Sequence, residues 1–154
     1  MRKPLLSPAE EEILKLSWQG MSSGEIALKL GKKLSNVSKT KGSIRRKVNI
    51  GLERLAKSLQ LDYEELSHKD GRAILTGYHF AVDTPVYLLF TLKDGFIAWY
   101  RHAKCIRNDP RHQKCQEGLD LLRDERQIPV GQEENMSQEW DSVWKWLEKE
   151  GEMI

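Results

Sequence analysis

The hydrophobic positions divide the chain into two parts with different periods. Over residues 6–59 apolar side chains recur every three or four positions, the period of a helix with one buried face. Ile13, Leu14 and Trp18 share one such face, and Ile26, Ala27 and Leu30 a second. Val37, Ile44 and Val48 share a third, with Thr40 between them. Leu52, Leu55, Ala56 and Leu59 carry that stripe onward, either to close the head or to form a dimer contact. From residue 72 the pattern changes. RAILTGYHFAV, VYLLFTL and FIAWYRH are rich in β-branched and aromatic residues, and Lys93-Asp94-Gly95 makes a hairpin turn between the last two. Strands are predicted near 73–80, at 86–92 and at 96–101. Two helical stripes follow: Cys115, Leu119 and Leu122, then Trp140, Val143, Trp144 and Leu147, with Trp146 off that face.

Polar punctuation fixes where these elements begin and stop. Ser7-Pro8-Ala9-Glu10 combines a capping box with proline at the first helical position, and Gly20 ends that helix. Ser22 and Glu25 repeat the box, and Gly31 supplies a residue that tolerates positive φ at the helix end. Asp109-Pro110 opens the fourth helix, Ile128-Pro129-Val130-Gly131 breaks it, and the last helix follows Ser137. His68-Lys69-Asp70-Gly71 reads as a linker. The fold class expected is α+β: an all-α head over 1–66, then a domain over 72–154 in which a short antiparallel sheet is covered by two helices.

Charge changes the picture more than composition does. Apolar residues make up 39% of the 154, and none of their runs approaches the ~20 a membrane helix needs. The start, MRKPLLSPAEEE, has no apolar signal-peptide core, so a cytoplasmic protein is expected. Two cysteines are too few for a secreted disulfide framework. The net charge is only +2, yet Ile26 to Leu52 holds eight Lys/Arg and no acid. A solvated helix usually interleaves acids for pairing four residues apart; a cationic outer face over an apolar stripe suits phosphate. Asp124 to Ile154 leans the other way, with nine acids against three bases.

Residues 6–48 resemble the helix-turn-helix of LuxR-type regulators, of sigma-factor region four and of the archaeal Tfx regulators. The likeness rests on Leu6-Ser7-Pro8, Glu10, Glu12-Ile13-Leu14, Leu16, Gly20, Ser22, Glu25-Ile26-Ala27, Leu30-Gly31, Val37, Ile44 and Arg46-Lys47-Val48. Asn36-Val37-Ser38 is most similar to the Tfx group. Lys32 and Lys33 stand where such families place an apolar residue and a Ser or Thr, so capping is expected to pass to Ser35, with Leu34 in the apolar slot. The resemblance implies a transcription regulator that sets helix 35–48 into the major groove of double-stranded DNA, commonly as a homodimer. Carried over, it implies base reading by Ser35, Asn36, Ser38 and Lys39, and phosphate contacts by Lys32, Lys33, Lys41, Arg45, Arg46 and Lys47. The alternatives are a sigma-like or adaptor protein with weak DNA affinity of its own, or a metal- or redox-sensing regulator. The 72–154 part is open to a small-molecule or protein effector.

One constellation stands outside this reading. His102-Ala-Lys-Cys105 and His112-Gln-Lys-Cys115 repeat a His-x2-Cys unit, a donor set that suits zinc, another metal or a redox pair. Against it, Cys115 continues an apolar stripe, where a free cysteine packs as a small hydrophobe. No resident cofactor is expected; zinc or another metal at this donor set is the alternative. His79, Asp83, His102 and the cysteines are linked by no catalytic motif, so no enzyme is expected.

Overall fold

The computed structural model describes residues 4–64, 71–101, 110–131 and 135–149. Three helices come first: α1 (Pro8–Trp18), α2 (Ser23–Leu30) and α3 (Leu34–Ser58). Both expected capping boxes are formed, Ser7 with Glu10 and Ser22 with Glu25. Gly31 closes α2 in the left-handed region at φ 64°, where a side chain would strain the backbone.

The third helix differs from the expectation. It does not run 35–48 but continues unbroken for 25 residues, about 37 Å at the helical rise. Ser35 does not cap it. Lys33 occupies the cap position without a side-chain hydrogen bond, and Leu34 is 54% exposed and fills no apolar slot. The reason for the length lies further along. Val37, Ile44 and Val48 pack on α1 and α2, while Leu52 and Ala56 continue the stripe into the core shared with the sheet. Leu52 and Ala56 are thus buried within the chain, and Leu55 and Leu59 pack partly buried against the same core.

The sheet has four antiparallel strands rather than three, in the order β1 (Asp62–Tyr63), β2 (Ile74–His79), β3 (Thr84–Thr91) and β4 (Gly95–Tyr100). The short β1 pairs with β2 through Asp62–Tyr78 and Tyr63–Gly77. Both faces are covered. Leu75, Val86, Leu88 and Phe90 point to the helical head and join its core; Ile74, Tyr87, Leu89 and Trp99 point to α4 (Gln113–Arg126) and α5 (Met136–Lys149). Burial on both faces explains why β3 reads as an unbroken apolar run and not as an alternation. Asp109, the expected cap of the fourth helix, lies outside the described residues, as do residues 68–70 of the linker. Pro110–His112 form a 3-10 turn, and α4 itself starts at Gln113. Asn135 accepts from the Ser137 backbone N–H at 2.9 Å and starts α5 ahead of Ser137.

Gly51 sets how closely α3 meets the sheet. A β-carbon built there would have three ring atoms of Phe96 at 2.8 Å or closer, so the ring seats directly on the helix backbone. Phe96 in turn packs on Phe90, with ring centroids 5.1 Å apart. At the far end of α4 the buried Arg126 binds head and sheet together. Its guanidinium lies 4.3 Å over the Trp18 ring and donates to the Phe90 carbonyl at 2.7 Å and the Arg72 carbonyl at 3.4 Å. Burial pulls its pKa down to about 10, against a smaller upward pull from Glu125, so it remains charged at neutral pH.

Candidate nucleic-acid interface

α3 carries two faces because its inner one is filled. Val37, Ile44 and Val48 are fully buried. By helical geometry Ser35, Lys39, Gly42 and Arg46 then stand on the opposite side, flanked by Asn36 and Ser38. Ser35, Asn36, Ser38, Lys39 and Arg46 are all exposed. Lys32 and Lys33, in the turn before the helix, are exposed too. Thr40 sits at the margin and donates its hydroxyl back to the Asn36 carbonyl at 2.9 Å.

The six phosphate candidates divide. Lys32, Lys33 and Arg46 present open side chains. Lys41 and Arg45 are half-buried, and each has an interaction within the chain. Lys47 is engaged: its ammonium meets Glu10 Oε1 at 2.6 Å. The same carboxylate accepts from the Ser7 backbone N–H at 2.9 Å and the Ser43 hydroxyl at 3.2 Å. Glu10 therefore caps α1 and ties it to α3. Burial pushes its carboxyl up, but the Lys47 ammonium, the Ser7 amide and the Ser43 and Ser7 hydroxyls outweigh that and hold it at about 2. The sequence showed Glu10 as a cap; its reach to residues 33 and 37 positions away had no local signal.

Four of the described acids in the acidic segment have partners in their own half. Glu125 accepts from the Leu92 and Lys93 backbone N–H groups, at 2.9 and 3.0 Å. Asp141 meets Arg101 at 2.9 Å and accepts from the Tyr87 hydroxyl at 3.1 Å. The fully buried Glu139 pairs with Arg123, which also donates to the Val130 and Gly131 carbonyls. Glu148 accepts from Trp144 Nε1 at 2.7 Å.

The His/Cys constellation is only half in view, because His102 and Cys105 lie outside the described residues. Cys115 lies against the second core and its sulfur accepts from Trp99 Nε1 at 3.3 Å. His112 is half-buried at the start of α4. Among the described residues no group of three or more His, Cys, Asp or Glu could hold a metal. His79 and Asp83, both near the β2–β3 turn, have separate partners: His79 Nδ1 lies 3.2 Å from the Tyr100 hydroxyl, and Asp83 accepts from the Tyr78 hydroxyl. Trp146 packs on the second core, partly buried.

Among the described residues no helix is long and apolar enough to cross a membrane. No family model, no curated protein and no solved structure matches this chain.

Proposed function

We propose that the chain is a sequence-specific DNA-binding transcriptional regulator that places the N-terminal half of α3 in the major groove. One observation carries the reading. A helix anchored along its inner face presents Ser35, Asn36, Ser38 and Lys39 outward, with the exposed cations Lys32, Lys33 and Arg46 on either side. Short polar side chains at the leading end of such a helix suit base edges: Asn pairs two-pronged with adenine, and Lys reaches guanine O6 or N7. The flanking cations set register on phosphates. Reading two half-sites would call for a homodimer.

The test is duplex binding against salt, by fluorescence anisotropy. Affinity should fall by orders of magnitude between about 50 and 200 mM salt while a preferred sequence survives. Lys39→Ala should lower affinity and blur the preferred site. Arg46→Ala should weaken all sequences alike and reduce the salt slope by about 1. Equal losses on specific and random DNA from both variants would refute the division of roles.

A second reading, a protein-interaction subunit on the same three helices, has one observation in its favour. Leu28 and Leu34, on either side of the Gly31 turn, are 86% and 54% exposed. Weak, salt-insensitive duplex binding with no sequence preference would favour it.

A further inference from the structure

We infer that Leu34 takes part in base reading by packing on the C5 methyl group of a thymine in the major groove. The inference rests on the DNA-binding reading and deepens it, because it assigns the preferred site a thymine. Leu34 is the first residue of α3, directly after the Lys33 cap. It is 54% exposed and, among the described residues, belongs to neither core. Val37, Ile44 and Val48 fill the inner face, so the helix is anchored without it. One turn on, Ser38 lies on the same side of the helix, at a position proposed to meet base edges.

The chemistry of the groove selects the partner. The other exposed side chains from Lys32 to Lys39 are polar or cationic: Lys32, Lys33, Ser35, Asn36, Ser38 and Lys39. These suit hydrogen-bonding edges and phosphates. A leucine among them gains only by leaving water for an apolar surface. Base edges in the major groove carry donors and acceptors, and the thymine methyl is the apolar group among them. Leu28 supplies the contrast. It is 86% exposed but stands on α2, outside the reading helix. A protein partner covering the Gly31 turn would use both leucines, whereas a thymine methyl in the groove uses Leu34 alone.

The experiment is a deoxyuridine scan. The full chain is titrated by fluorescence anisotropy against a preferred duplex enriched from a random pool. It is then titrated against duplexes in which each thymine in turn is deoxyuridine, which lacks only the methyl. At one thymine of the site the change should weaken binding about fourfold, the value of one buried methyl-sized group. Leu34→Ala should bind the thymine and deoxyuridine duplexes alike at that position, with its salt dependence and unfolding midpoint unchanged. Leu28→Ala should keep the fourfold difference. A preferred site without thymine, a scan that moves nothing, or a methyl effect that survives Leu34→Ala would overturn the inference while salt-dependent, sequence-preferring binding still upheld the DNA-binding reading. A methyl effect lost equally in Leu28→Ala would overturn it too. Absence of any such binding by the parent would overturn both.

Discussion

Gly51→Ala separates local helix preference from tertiary docking, because the two act with opposite sign. Alanine in place of glycine inside a helix is favourable by about 1 kcal/mol, and Gly51 lies well within the 25-residue α3. The added β-carbon would collide with three atoms of the Phe96 ring at 2.8 Å or closer. A stiff ring cannot absorb that overlap, so Phe96 or the whole strand must shift. Overpacking of this kind costs about 1–3 kcal/mol. Losing the ring's seat also forfeits its contact with Phe90, worth about 0.5–1.5 kcal/mol. The clash should win, leaving Gly51→Ala destabilised by about 1–3 kcal/mol. In a Phe96→Ala background the obstacle is gone, and the same substitution should stabilise by about 0.5–1 kcal/mol. The assay is urea unfolding of the four proteins of this cycle, followed by tryptophan fluorescence, with midpoints compared at constant slope. A Gly51→Ala that stabilises the parent, or that has the same sign in both backgrounds, would refute the close seating of Phe96 on α3.

Other consequences are more direct. Glu10 is held at about 2 against an ordinary 4.5, so its contribution is complete above pH 4.5 and is lost as pH falls through about 2. That difference sets a ceiling of about 3 kcal/mol; with the Lys47 side chain 42% exposed, about 1–2 kcal/mol is expected. Glu10→Gln should therefore be less stable than the parent at pH 7, with the gap closing between pH 4.5 and 2; a gap that ignores pH would show the Lys47 pair to be inert. Arg126→Met should lower stability by about 1–3 kcal/mol in thermal unfolding, since it strands the Phe90 and Arg72 carbonyls and removes the cation from Trp18; no loss, or a gain, would mean the guanidinium is replaceable by packing alone. For DNA, Lys33→Ala should weaken duplex binding with unchanged unfolding, whereas Lys47→Met should lower stability through Glu10; the reverse pattern would exchange their roles.

Sequence was enough wherever a structure is made by residues within a few positions of one another. The Ser7–Glu10 and Ser22–Glu25 boxes, the left-handed Gly31 and the Lys93-Asp94-Gly95 turn each close bonds over three or four residues, so the chemistry is visible in the string. The outward polar and cationic face of α3 was legible for the same reason, being the complement of an apolar stripe. What the tertiary structure decided is what remote surfaces do to one another. The unbroken length of α3, the ring of Phe96 on Gly51 and the covering of both sheet faces depend on which stripe meets which strand. The second role of Glu10, the Lys47 ammonium turned away from the outer face, and Arg126 over Trp18 are pairings of residues 33 to 108 positions apart. Such pairings follow from shape and distance once the chain has collapsed, and no periodicity announces them.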